Sequence, residues 1–344
     1  MTFIPLTALI DPDQVPVDGV LFAWMIDQTG TGSKILPDQV VNEISNASHL
    51  IWLHLNFSNA RILPWLSRLE LIPPEFAEAI QTDAIGAQDD AITEYSQGTL
   101  FHLKDFTHEF GQDPKGNNLD VESFWCFLTP RLLITGRLHP LRTFDHVKEQ
   151  LLKKQIAPAN LQGLFHQILD IRSLQLKATI RRLADRIDSL EEVILNGNDL
   201  APDESIGTLR IQCNRVRRHF SAELDALKYL QKRNTPLFLD EDLEQLSEHT
   251  IELASFLGQI DGLYIRAKVL QDEQSAHVAE LNAKQLQVLS VMTVIFLPMT
   301  LLTGIMGMNM EDLPGLKGSF AIVMFLMGLA GLFVYLGLKI KRIM

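Results

Sequence analysis

Two long uncharged stretches near the end of the chain constrain this sequence more than any other feature. They cover residues 286–306 and 318–338, and neither contains Asp, Glu, Lys or Arg. As a helix, each stretch is long enough to cross the roughly 30 Å hydrocarbon core of a bilayer. A buried helix of a soluble protein is the alternative, but two such stretches so close together favour membrane spans. We therefore predict a hairpin of two transmembrane helices.

A short polar loop, residues 307–317, joins the two predicted helices and requires them to run antiparallel. In this loop Asn309 offers a carbonyl oxygen and an amide without a fixed charge, and Glu311 and Asp312 add negative charge. Neutral oxygen dipoles beside carboxylates suit the mouth of a cation pathway. Taken alone, these residues favour the simpler alternative of a turn built from Gly, Asn, Asp and Pro.

The context of this loop resembles the CorA superfamily of divalent-cation transporters. The resemblance rests on Phe296-Leu297-Pro298-Met299-Thr300, then Gly304, then the triplet Gly307-Met308-Asn309 at the end of the first apolar helix. It implies a funnel-shaped homopentamer whose first membrane helix lines the pore. It also implies that the triplet is the selectivity element at the outer mouth, where Asn309 meets the hydrated cation.

Within that superfamily the chain is most similar to the zinc-transporting ZntB branch. The segments 18–24 and 51–59 resemble the opening of that branch, and so does Pro314-Gly315 in the loop. Glu311-Asp312 departs from it, because the branch has two small residues there and a Glu after the triplet resembles the magnesium-transporting branch. We therefore expect transported zinc, with magnesium, cobalt or nickel as the alternative.

The first part of the chain is too polar to span a membrane, and residues 1–145 are expected to form a cytoplasmic α+β domain. The net charge of the whole chain, −12, argues against a nucleic-acid partner. The N-terminus lacks the pattern of a signal peptide. The apolar patterns predict strands at residues 20–26, 49–57, 99–103, 123–128 and 132–135, a short helix at 37–46 and two helical pieces over 60–92.

Residues 146–240 are expected to form a cytoplasmic helical hairpin, with helices over 160–196 and 204–232. The first of these carries an apolar stripe at helical spacing. Its members are Leu164, Ile168, Ile171, Leu174, Leu183, Ile187, Leu190 and Ile194.

A third helix starts at the acidic run 240–242, and no proline follows before Pro298. Residues 241–285 are therefore expected to form a stalk that enters the membrane as the first transmembrane helix. The spacing of its seam alternates between four and three, as in a coiled coil. The seam consists of Leu246, Thr250, Leu253, Leu257, Ile260, Tyr264 and Ala267.

The membrane part of this helix has a face of small and hydroxyl-bearing residues. Ser290, Thr293, Leu297, Thr300 and Gly304 share it because they are three or four residues apart. Such a face suits a narrow aqueous path, and ordinary packing between membrane helices is an equal alternative. The family resemblance favours pore lining, with apolar constrictions at Leu297 and at Leu289 or Leu286.

Basic residues flank the predicted spans on the side of both chain ends. They are Arg266, Lys268 and Lys284 before the first span and Lys339, Lys341 and Arg342 after the second, whereas the loop has only Lys317. By the positive-inside rule, both termini and the basic tail, residues 339–344, are expected in the cytoplasm of a bacterial inner membrane.

Motifs of common enzymes and ATP-driven pumps are missing from the sequence, including the P-loop, G-x-S-x-G and H-E-x-x-H. The ten histidines are scattered, and structural roles are favoured over metal ligation for each of them. We therefore expect a transporter without an enzymatic activity or a bound cofactor. Three hypotheses remain: a zinc transporter with proton coupling, a magnesium, cobalt or nickel channel of the CorA type, and a non-conducting membrane-anchored scaffold.

Overall fold

The computed structural model describes residues 17–26, 32–36, 39–45, 49–69, 72–73, 75–84, 91–107, 121–195, 206–233, 237–307 and 320–340. The chain divides into two compact units, Met1–Leu270 and Gln271–Met344. The first unit contains a β-sheet and most of the helices. The second contains the two apolar segments predicted above.

A single seven-stranded sheet organises the first unit. Its strands are β1 (Val20–Ile26), β2 (Gly32–Ile35), β3 (Leu50–Asn56), β4 (Ile92–Glu94), β5 (Thr99–Phe106), β6 (Val121–Leu128) and β7 (Leu132–Arg137). Their order across the sheet is β2-β1-β3-β7-β6-β5-β4. Neighbouring strands run antiparallel except β3 and β7, which pair in parallel with Trp52 opposite Leu133.

Helices cover both faces of this sheet, so its central strands are apolar on both sides. One face packs against α1 (Val40–Ser45), α2 (Ile62–Leu66) and α3 (Glu75–Ala84). The other packs against α4 (Arg142–Leu152), α5 (Leu161–Leu195) and α6 (Ile206–Gln231), and the first part of α7 (Asp240–Gly307) joins the same apolar core. On β3, Trp52 is part of the apolar core on the face that α4 covers, and its neighbour Leu53 is part of the core on the face that α1, α2 and α3 cover. Successive strand residues point to opposite faces of a sheet.

The predicted α+β architecture is confirmed, and the predicted strands appear with small shifts at their ends. Two strands were missed. No strand was predicted between residues 26 and 49, yet Gly32 begins β2, and β4 begins at Ile92, the last residue of the predicted helical region. Both are short strands at the two edges of the sheet, and their sequences, GSKI and ITE, carry too few apolar residues to reveal them.

The long helices agree closely with the sequence pattern, and α7 begins at the predicted Asp240. The predicted seam of α7 is buried at Leu246, Thr250, Leu253, Leu257, Ile260 and Ala267, with Tyr264 partly buried. The stripe on α5 was wrong at Leu174, which is 65% exposed. A second consecutive step of three residues rotates the Leu174 side chain off the face, and Leu176 and Ile180 continue the buried stripe instead.

The absence of a side chain at Gly136 on β7 makes room for the ring of Phe57. A Cβ added at Gly136 would collide with the Phe57 ring. That ring is buried and lies 5.7 Å from the ring of Trp125, centroid to centroid. We expect Gly136→Ala to lower the free energy of unfolding by about 1–3 kcal/mol, the usual cost of overpacking a core.

Tryptophan fluorescence provides the measurement, because all four tryptophans lie in the first unit at positions 24, 52, 65 and 125. Gly258→Ala is the matched control, since a Cβ added there meets nothing within 4 Å. In the middle of α7 this change is expected to stabilise by up to about 1 kcal/mol. Equal unfolding midpoints for the two variants would contradict the packing described for Phe57.

Candidate cation pathway

The second unit contains the apolar part of α7 and the helix α8 (Phe320–Ile340). Among the described residues, one helix, Asp240–Ile305, is long and apolar enough to cross a membrane, with a mean hydropathy of 2.1 in its most apolar window. Only 6% of that window is buried. A shorter apolar helical segment, Met324–Gly337, lies within α8.

One face of the apolar part of α7 is covered and the rest is open. The covered positions are Val291, Ile295, Pro298, Met299 and Leu302, which fall at helical spacing on one side. The Met299 methyl group occupies the space that a Cβ at Gly331 of α8 would need. On α8, the less exposed positions around Gly331 are Met327, Ala330 and Val334. Helix α8 therefore packs against the side of α7 that contains Met299.

The predicted pore-lining residues lie on the opposite side of α7. At about 100° per residue, their mean direction is about 180° away from the covered positions. The set comprises Leu286, Leu289, Ser290, Thr293, Leu297, Thr300 and Gly304, all of which are exposed. The apolar members Leu286, Leu289 and Leu297 are 62–69% exposed. The face that carries hydroxyls is thus left open by α8.

The threonine hydroxyls on this face satisfy the helix backbone. Thr293 Oγ1 donates to the Leu289 carbonyl over 2.8 Å, and Thr300 Oγ1 donates to the Phe296 carbonyl over 2.9 Å. The oxygen lone pairs of each hydroxyl stay available to accept a hydrogen bond. A Cβ added at Gly304 would meet nothing within 4 Å, so the backbone there is accessible. The face can therefore offer neutral oxygen dipoles to water or a hydrated cation.

The predicted selectivity triplet is only partly described. Gly307 is the last residue of α7. Met308 and Asn309, together with the acidic Glu311 and Asp312, lie outside the described residues.

His54 has the structural role that the sequence analysis favoured for the histidines. His54 is buried between the rings of Phe22 and Phe144. The Arg137 Nε–H donates to His54 Nε2 over 3.2 Å, so Nδ1 carries the proton and donates to Thr135 Oγ1 over 2.8 Å. Burial, followed by the charges of Arg137 and Lys148, lowers the pKa of His54 well below its ordinary value. His54 is a neutral, fully engaged core residue.

A second histidine arrangement was missed by sequence reasoning. His166 of α5 and His249 of α7 stack with ring centroids 5.5 Å apart and planes within 10°. They are 83 residues apart in the sequence, so no local spacing pattern could have indicated the pair. Both lie in the first unit, away from the predicted pore-lining positions in the chain.

Comparison with protein families gives a match over most of the chain. The model described as "CorA-like Mg2+ transporter protein" matches residues 47–342. This range includes most of the sheet, the long helices, both apolar segments and the Gly307-Met308-Asn309 triplet.

Individual relatives agree with this match. The chain is 26% identical to the zinc transport protein ZntB of Enterobacter sp. (strain 638) over 306 residues, which are 89% of this chain and 90% of the relative. The solved structure of the full-length CmaX protein matches with a TM-score of 0.77 at 21% identity and covers 94% of this chain and 98% of its own. The complete CorA magnesium transporter of Methanocaldococcus jannaschii matches with a TM-score of 0.71 at 19% identity and covers 93% and 98%.

Proposed function

This chain belongs to the family of CorA-like Mg2+ transporter proteins, and on that premise we propose that it carries divalent cations, preferably zinc, across the bacterial inner membrane. The observation that carries the proposal is the open face of α7. Its hydroxyls and accessible backbone lie opposite the side that packs against α8. A face of this kind lines a pore when copies of the helix surround an axis.

In this proposal five copies assemble into a ring with α7 at the centre and α8 outside. Residues 286–306 form the pore-lining span and residues 318–338 the second span. Cations pass at least partly hydrated, because no charged side chain lies between Leu286 and Ile305 to replace their water. Leu286, Leu289 and Leu297 form the apolar constrictions, and Ser290, Thr293, Thr300 and Gly304 supply oxygen dipoles between and beyond them.

The loop 307–317 forms the outer mouth. Gly307, Met308 and Asn309 form the selectivity element, and Asn309 contacts the hydrated cation through its amide. Glu311 and Asp312 raise the local cation concentration. Both termini are cytoplasmic, because the basic residues flank the spans on that side and the loop has only Lys317.

Zinc is the preferred cargo in this proposal because the curated relative is named a zinc transport protein. Magnesium, cobalt or nickel is the second candidate, and Glu311 favours it. This residue is the second after the triplet, and a Glu there resembles the magnesium branch. The chain has no P-loop, so the driving force is the gradient of the cation or of protons.

Uptake by proteoliposomes that contain only the purified chain tests the metal and the driving force together. We expect zinc uptake that accelerates when a proton gradient is imposed. Magnesium uptake blocked by cobalt hexammine, with no effect of the proton gradient, would instead establish the second candidate. An inserted oligomer that conducts neither ion would contradict both transport hypotheses and support the non-conducting scaffold.

A further inference from the structure

A large polar cavity lies between α5 and α7 in the first unit. Its volume is about 1090 Å³, and its walls come from residues before and within α5 and from the first turns of α7. The walls carry five carboxylates, on Asp170, Glu241, Asp242, Glu248 and Glu252, and one lysine, Lys177. An acidic cavity attracts cations but does not by itself define a site.

The stacked pair of His166 and His249 lines the same cavity. The His166 side chain is only 4% exposed, and neither of its ring nitrogens has a hydrogen-bond partner among the described residues. Buried polar atoms are almost always paired, and an unpaired one destabilises the folded chain. A ligand that accepts or donates at this ring would remove that cost.

Carboxylates lie next to both imidazoles. Asp242 Oδ1 is 4.0 Å from His166 Nε2, and Asp170 Oδ1 is 3.6 Å from His249 Nδ1. The other oxygen of Asp242 accepts the Leu239 backbone N–H over 2.9 Å, which holds this side chain in place. Two ligand atoms of one tetrahedral zinc ion are about 3.3 Å apart, given bonds of about 2.0–2.1 Å. His166 Nε2 and Asp242 Oδ1 therefore need to approach by less than about 1 Å.

Among the residues with described positions, no group of three His, Cys, Asp or Glu side chains could hold a metal ion as placed. The two imidazole planes are nearly parallel, so their in-plane lone pairs do not meet, and binding requires these side chains to rotate toward the cavity. Both imidazoles are available for such a step. Neither ring nitrogen of His166 is engaged by another described residue, so both can still take a ligand.

We propose that His166, His249 and Asp242 bind one zinc-like divalent cation within each chain, with Asp170 as an outer carboxylate that orients His249. Two imidazole nitrogens and a carboxylate favour zinc, cobalt or nickel, whereas magnesium prefers oxygen ligands alone. The bound ion would join α5 to the first turns of α7. All residues of the site belong to the first unit, and its test does not depend on transport.

Cobalt absorption spectroscopy of the full-length chain in detergent tests this site after metal removal with a chelator. Co²⁺ at a tetrahedral nitrogen and oxygen site gives intense visible bands, and Zn²⁺ is expected to abolish them by displacement. We expect millimolar Mg²⁺ to leave them unchanged. The variant His166→Gln/His249→Gln is expected to bind Co²⁺ at least about 10-fold more weakly, the usual minimum loss at a disturbed metal site.

His139→Gln is the matched control, since this histidine is 61% exposed and lies 3.5 Å from the Glu122 carboxylate. It is expected to retain the bands and the affinity. Because His166 is buried, His249→Gln and Asp242→Asn are measured separately, with circular dichroism to verify folding. Folded variants that keep the parent's affinity and bands would overturn the site. Weak octahedral bands in the parent, or equal displacement by Mg²⁺, would overturn it as well.

Discussion

Replacing Asn309 with alanine is expected to reduce zinc uptake into proteoliposomes to the level of protein-free vesicles while the oligomer stays intact. In the proposed pore this amide is the polar group that meets the hydrated cation at the outer mouth. Alanine removes both its carbonyl oxygen and its N–H donors and leaves nothing to take their place. Uptake is measured with a zinc-sensitive dye inside the vesicles, and assembly is measured by size-exclusion chromatography.

Asn42→Ala provides the matched control, because Asn42 is exposed on the short helix α1 of the first unit. This variant is expected to transport zinc at the parent rate. If Asn309→Ala also transports at the parent rate with an intact oligomer, the role assigned to the triplet is wrong. If the oligomer is lost, the residue acts in assembly and not in selectivity.

Removal of the carboxylate of Glu223 is expected to destabilise the first unit by about 3–5 kcal/mol, because it leaves a buried charge without its partner. Glu223 on α6 makes two hydrogen bonds with the guanidinium of Arg172 on α5, one of them 2.6 Å long. The two side chains are 2% and 5% exposed. The guanidinium also donates to the Lys104 carbonyl at 3.3 Å, so this ion pair joins α5, α6 and β5.

The expected measurement is a lower unfolding midpoint of tryptophan fluorescence for Glu223→Ala. The control is Asp261→Ala, which breaks an ion pair with Arg217 whose members are 45% and 53% exposed, and exposed pairs contribute less than about 1 kcal/mol. The double variant Arg172→Met/Glu223→Leu is expected to regain most of the lost stability, since apolar residues of similar volume replace buried pairs well. Similar losses for Glu223→Ala and Asp261→Ala would contradict this account.

The sequence predicted the order and the extent of the long helices because both depend on the local pattern of side chains. The start of α7 at Asp240 follows from three consecutive acids at a helix N-terminus, and its buried seam follows from apolar residues at alternating spacings of four and three. The uncharged stretches coincide with the apolar part of α7 and with α8. In each case the side chains themselves carry the information.

Features that depend on distant neighbours could not be predicted in this way. The edge strands β2 and β4 exist because β1 and β5 offer them an open edge, and their own residues are largely polar. The pairing of His166 with His249 requires α5 and α7 to be adjacent, which no local pattern indicates. The pore-lining role of the α7 face depends on further copies of the chain around one axis, which no local pattern specifies.

The most direct test of the central claim is the rate at which divalent cations enter sealed liposomes that contain this chain and no other protein. The account predicts that zinc enters faster than into protein-free liposomes, and that Asn309→Ala abolishes the difference. It would be contradicted if zinc, magnesium, cobalt and nickel all entered at the protein-free rate although the chain was inserted and oligomeric.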